Sequence, residues 1–174
     1  MYPQVMKFKF IFLLVITLSV FSSCSKEELE PLSEENNAGL NAENLEISSG
    51  SHTALEAELF DLVNNYRVSI GLNELTFEST TYYYAGQHND HMIAQNNVSH
   101  AKFGERAKGI AERTGASHVA ENVARNYDDM QEVLEAWVDS PSHRMSLEGN
   151  YTHSAISIKE NNSGNLYFTQ MFFR

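Results

Sequence analysis

The sequence predicts an α+β domain over residues 51–174, and two observations carry that expectation. From Thr53 to about Leu147, apolar residues recur at spacings of three, four and seven, the period of helices that bury one face. Beyond Thr152 the spacing shortens toward two and is broken by Asn162-Ser163-Gly164, the pattern of a hairpin. Helices followed by a terminal hairpin favour a layered α+β domain over a parallel α/β sheet.

The elements follow in order. Leu55, Leu59, Leu62, Val63 and Tyr66 line one face of a first helix, with Thr53 as its N-cap and Gly71 as its stop. A second helix is expected from Ser79 to Asn96, burying Tyr82, Ala85, Met92 and Ile93, and a third from Lys102 to Arg113. A fourth starts at Asp128 or Asp129 and buries Met130, Val133, Leu134, Trp137 and Val138. Ser140-Pro141 ends it and opens a short turn through Leu147, closed by Gly149. Thr152 to Lys159 and Leu166 to Phe172 form the two arms of the hairpin. No internal repeat is visible.

The first fifty residues read differently. Lys7 and Lys9 precede an apolar run from Phe10 to Phe21, interrupted by Thr17 and Ser19. That run has the length of a signal-peptide core and is too short to span a bilayer as a helix. It leads through Ser22-Ser23 into Cys24, the only cysteine of the chain. The expectation is a lipoprotein signal peptide over residues 1–23, cleaved before Cys24, whose sulfur is then acylated with a fatty acid such as palmitate. The alternative is an ordinary signal peptide with an incidental cysteine. Phe21 departs from the aliphatic residue usual at its position. Two or more acyl chains, at about 0.8 kcal/mol per buried methylene, make a stable membrane anchor.

Residues 24–50 then form an acidic linker, with Lys26 against seven glutamates and little apolar periodicity, too polar to offset the entropy of ordering. Its start, Ser25-Lys26-Glu27-Glu28, resembles acidic sorting signals of surface-exposed lipoproteins. The alternative is that this stretch is simply part of a solvated linker. The expected location is the cell envelope, lipid-anchored, with the outer membrane and its surface favoured and the inner membrane left open.

Without residues 1–23 the chain keeps 10 of its 12 basic residues against all 23 acidic ones, a net charge of −13. That balance excludes nucleic acid, which needs clustered Lys and Arg, and electrostatic adhesion to anionic headgroups. The expected partners are the membrane, through Cys24, and an extracellular or periplasmic ligand of unknown identity. The domain is large enough to fold as a monomer.

Four segments carry further information: Asn97-Val98-Ser99-His100, Ala120-Glu121-Asn122-Val123-Ala124, Trp137-Val138-Asp139-Ser140-Pro141-Ser142-His143-Arg144, and Tyr167-Phe168-Thr169-Gln170-Met171-Phe172. In this order they resemble the CAP superfamily of cysteine-rich secretory, antigen 5 and pathogenesis-related 1 proteins, and its bacterial branch above all. Asn64, Arg67, Leu72 and Leu75 fit the family opening, and the resemblance covers residues 53–174.

The resemblance implies an α-β-α sandwich with a central antiparallel sheet, including a strand around Val119 to Ala124. It also implies a cleft lined by two histidines and two acidic residues, which in many members hold a divalent metal. His100 and Glu121 match the first histidine and first glutamate. Ser140 stands where eukaryotic members carry the second glutamate, and His153 lies in a different setting from their second histidine. As in other bacterial members, His143 takes the place of the second cleft histidine.

His100, Glu121 and His143 are therefore the candidate metal ligands and the candidate catalytic groups. Two imidazoles and a carboxylate suit one Zn²⁺, with water in an open position. Without metal, the same groups form an acid–base pair. Each also has a bland alternative. His100 could end the second helix, Glu121 could bond backbone amides, and His143 could cap the Ser140-Pro141 turn. Arg144 is expected to be a structural ion-pair partner, and Thr169 and Gln170 to belong to the hydrogen-bonded scaffold. His88 and His91 share a helix face but have no second ligand pair.

The chain has no glycine-rich phosphate loop, G-x-S-x-G elbow or H-E-x-x-H pair. Three functions remain: a binding module whose cleft holds a divalent metal or small ligand, a metal-assisted hydrolase of peptide or cell-wall material, and a structural protein with a vestigial cleft. Ser140 in place of a glutamate favours the first and third.

Overall fold

The structure, a computed structural model, describes residues 51–174. The expectations for the signal peptide, for Cys24 and for the linker of residues 24–50 lie outside the described residues.

Helix α1 spans Ala54–Ser69 and opens on a capping box. Thr53 Oγ1 accepts from the Glu56 N–H, and the Glu56 carboxylate accepts from the Thr53 N–H. Its buried face carries Leu59, Phe60 and Val63 together with Glu56 and Arg67, whereas Leu55 is 44% exposed. The inward stripe is thus rotated from the one the apolar spacing predicts, because two of its positions bury polar groups that hold the rest of the fold.

Strand β1 is only Thr76–Phe77. Helix α2, Ser79–Gln95, is capped by the Glu78 carboxylate on the N–H groups of Thr80 and Thr81, and it ends at Asn96 in the left-handed region (φ 46°). Ala85 and Met92 are buried as expected, but Tyr82 and Ile93 are half-buried, and His88 and Asn89 take interior places instead.

Helix α3 runs Phe103–Thr114, strand β2 Val119–Arg125, helix α4 Met130–Asp139, helix α5 Pro141–Leu147, strand β3 His153–Glu160 and strand β4 Leu166–Phe173. Asp129 caps α4 through the N–H groups of Gln131 and Glu132, and Pro141 sits at the start of α5, where its missing N–H costs nothing. The segment expected as a turn through Leu147 is this short helix.

The sheet order is β1-β3-β4-β2. The β3–β4 and β2–β4 pairs are antiparallel, while β1 adds two parallel partners to β3 at His153 and Ser154. One face of the sheet packs Ile156, Phe168, Phe172 and Ala124 against Leu59, Val63, Met130, Val133 and Trp137 of α1 and α4. The other face packs Met171, Phe173, Val123 and Tyr167 against Ala85, Met92 and Ile110 of α2 and α3. This is the three-layer α-β-α arrangement. Each fully buried Leu, Ile or Phe in it contributes about 1.5–3 kcal/mol.

Strand parity decides what each face receives. Within β2, Glu121 and Val123 face α2 and α3, while Ala120, Asn122 and Ala124 face α4 and α5. Groups from both helical layers can therefore meet at this strand.

Candidate functional site

The site is built around Glu121 on β2. Arg106 of α3 grips its carboxylate with both arms, Nε donating to Oε2 at 2.7 Å and Nη2 to Oε1 at 2.8 Å. The Arg106 Nη1 donates to the Ala101 carbonyl at 2.7 Å, which fixes the loop ahead of α3. A pair this well enclosed, with side chains 8% and 1% exposed, is a charge-assisted fork rather than a surface ion pair.

His100 sits in the loop that joins α2 to α3. Its Nδ1 lies 2.8 Å from Oε1 of Glu121, and its side chain is 49% exposed. An ionised carboxylate can only accept, so Nδ1 carries the proton of this contact and Nε2 is the ring nitrogen left uncommitted. The loop is pinned from below: Nε2–H of the buried His88 donates to the Ser99 carbonyl at 2.7 Å, one residue before His100. Burial lowers the basicity of His88, and Glu121, 3.7 Å away, opposes that shift.

His143 arrives from the other helical layer, in the first turn of α5. Asn122 Nδ2 donates to its carbonyl at 3.0 Å, which ties that turn to β2. The His143 and His100 rings are 6.3 Å apart, centroid to centroid. Burial depresses the pKa of His143, and repulsion from His100 adds to the shift. Both histidines border hollows at β2. One is lined by His100, Phe103, Val119, Glu121 and Ser146, and the other by Val98, Val123, Tyr127, Trp137, Ser140 and His143.

The candidate residues thus divide. The fold brings His100, Glu121 and His143 together, and Ser140 borders the hollow beside His143. Arg144 donates Nε to the Val138 carbonyl at the end of α4. Gln170 is buried in β4 and donates to Ser154 Oγ at 3.1 Å, and Thr169 donates to Asn89 at 2.7 Å; both belong to the scaffold. His153 stacks flat on Phe173, with centroids 4.7 Å apart. Arg106 was invisible in the sequence as a site residue, since a helix arginine 15 residues from its partner carries no local signal. His88 was visible only as half of an i, i+3 histidine pair.

As a three-ligand metal centre the trio fits poorly. Both Glu121 oxygens already accept from Arg106, and a guanidinium is a cation where the ligand set needs another anion. Among the described residues no three His, Cys, Asp or Glu side chains converge in ligand geometry. What remains is a pair of imidazoles, with Glu121 orienting His100 from behind in the manner of an outer-shell carboxylate.

The architecture and the site together define a CAP domain, and the comparisons agree. The family model described as the cysteine-rich secretory protein family, CAP, matches residues 60–172. The chain belongs to that family. It is 32% identical over 128 residues to the uncharacterized membrane protein YlbC of Bacillus subtilis, covering 70% of this chain and 35% of YlbC. It spans from about a third to about half of the length of the curated relatives it matches. Among solved structures it resembles an outer surface protein of Borrelia burgdorferi, with a TM-score of 0.64 and 18% identity over 72% of this chain and 96% of that one. It also resembles an extracellular SCP-domain protein of Bacillus anthracis, with a TM-score of 0.59 and 26% identity over 72% of this chain and 45% of that one. Among the described residues no helix is long and apolar enough to cross a membrane.

Proposed function

We propose that the chain is a lipid-tethered CAP binding module of the cell envelope, whose cleft receives a small polar ligand or a divalent ion between His100 and His143. The observation that supports this most is the His100–Glu121 contact. It commits Nδ1 and leaves Nε2 as the uncommitted nitrogen of a half-exposed ring whose centroid lies 6.3 Å from that of His143. Two neutral imidazoles are donors suited to Zn²⁺, and bound there the ion would supply a Lewis-acid anchor for a carbonyl or carboxylate of the ligand.

The hydrolase reading has less support, because Glu121 is bound on both oxygens and is neither an open metal ligand nor a free general base. Placement in the envelope rests on the sequence up to Cys24, and is consistent with the extracellular description of the Bacillus anthracis protein.

Zinc titration by calorimetry, on the chain carrying Cys24→Ser, tests the cleft. About one ion per chain is expected, with affinity reduced at least tenfold in His100→Ala and in His143→Ala. Binding that neither change affects, or no binding under saturating zinc, would refute the two-imidazole site. For the tether, Cys24→Ser should release the protein from membranes in fractionated cells, and unchanged membrane association would refute acylation.

A further inference from the structure

Beyond Ser154, strand β3 has no neighbouring strand on its outer side among the described residues, since β1 pairs with it only at His153 and Ser154. Two side chains from the start of the domain stand in for one. The Ile156 N–H donates to Nε2 of His52 at 2.9 Å, and the Ile158 N–H donates to Oε1 of Glu56 at 2.7 Å. Outward N–H groups on an edge strand recur every second residue, so one histidine and one glutamate cover two successive positions of the edge.

The two holds differ in kind. Glu56 is also bound by the Thr53 N–H at 2.7 Å and by the Tyr82 hydroxyl at 2.9 Å, so several partners keep it in place. The His52 ring is wedged among Phe60, Phe77 and Tyr82, with centroids 4.8, 4.7 and 5.7 Å away. A backbone N–H can only donate, so Nε2 must be unprotonated for the Ile156 bond to exist. A proton on Nε2 would replace the acceptor with a second donor facing the first.

We propose that His52 is an acid-sensitive latch: neutral, it fastens residues 51 and 52 to the edge of β3, and protonated it lets go. Enclosure by the rings moves the transition to the acid side of the ordinary imidazole value. It outweighs Glu56 and Asp61 of α1, which favour the cation, while Tyr82 of α2 presents a neutral phenol. Release uncovers the Ile156 N–H on an edge strand, where another chain can pair. Glu56 keeps its hold on Ile158, so the opening is confined to one position.

Amide hydrogen exchange by NMR on the Cys24→Ser chain, at pH 7.5 and pH 5 and corrected for intrinsic rates, reads this directly. Protection at Ile156 is expected to fall at least tenfold at the lower pH while Ile158 stays protected. His52→Gln, which keeps an acceptor that does not titrate, should abolish the difference. Equal protection of Ile156 at both values, the same fall in His52→Gln, or a parallel loss at Ile158 would each overturn the latch. Should His52→Gln not fold, the wild-type titration decides: the His52 ring resonances and the Ile156 amide must share one midpoint, and separate midpoints overturn the latch.

Discussion

Arg106 and Glu121 meet as fork to fork, two parallel hydrogen bonds of 2.7 and 2.8 Å joining α3 to β2 behind the exposed ring of His100. The guanidinium fills the role of counter-charge to the cleft carboxylate. It leaves Glu121 free to do one further thing, which is to fix the tautomer of His100.

Arg106→Ala leaves that carboxylate enclosed without its cation, a change that costs about 3–5 kcal/mol in comparable buried pairs. Urea denaturation at pH 7 measures it. Removing Glu121 as well, in Arg106→Ala/Glu121→Ala, should recover a large part of the loss. A single substitution within about 1 kcal/mol of wild type would contradict the enclosure seen here.

Stability should fall on acidification through the histidine range. His52, His88 and His143 all have basicity lowered by burial in the folded chain. The unfolded chain therefore binds protons first, near the ordinary imidazole value of about 6.5. Stability is full above that value and is lost progressively as pH drops below it, toward the folded pKa values. Urea midpoints from pH 7.5 to 5 check the sign, and a midpoint that rises with acidification would contradict it.

Trp137 is enclosed in the core, and its Nε1–H donates to the Val123 carbonyl at 3.1 Å, on the outer side of β2. Trp137→Phe should cost about 1 kcal/mol for that bond plus the lost contacts, and Trp137→Ala about 3–5 kcal/mol. Thermal unfolding monitored by circular dichroism distinguishes the two.

Asn122 positions His143 by its carbonyl rather than its ring. Asn122→Ala should weaken zinc binding by about tenfold, the scale seen when outer-shell supports of a metal site are removed, with the fold retained. Calorimetry alongside an unchanged sheet signature in circular dichroism is the check. Unaltered affinity would show that α5 is held without Asn122.

Much of this was legible in advance for definite reasons. The stripe Met130, Val133, Leu134 and Trp137 is buried as its spacing requires, with Val138 half-buried at its margin, because α4 presents a single face to a single layer. His100, Glu121 and His143 are legible only through motifs, since 21 and 22 residues of separation hide their meeting from any local rule. Helix α1 misled by one position. Leu55 turns outward, while Glu56 and Arg67 turn in to bind backbone groups of β3, of the end of α5 and of the segment after it. A buried polar residue with distant partners looks, in sequence, like an ordinary solvated one. Arg106 as a site residue and the two-residue β1 carry no local signal for the same reason: both depend on tertiary contacts.

Arg67 gathers the carbonyls of Asn73, Leu147, Gly149 and Tyr151 around one buried guanidinium. The chain holds a single cysteine, so no intramolecular disulfide can join these segments. The contacts to residues 147–151 cross 80 to 84 positions, and contacts this non-local are expected to close after the more local helix and hairpin contacts. An interaction formed after the rate-limiting barrier acts on the escape rate alone. Arg67 is therefore expected to act as a brake on unfolding: in Arg67→Met, stopped-flow kinetics should show a refolding rate nearly untouched and a shortened lifetime of the folded domain, and an equal slowing of refolding would contradict it.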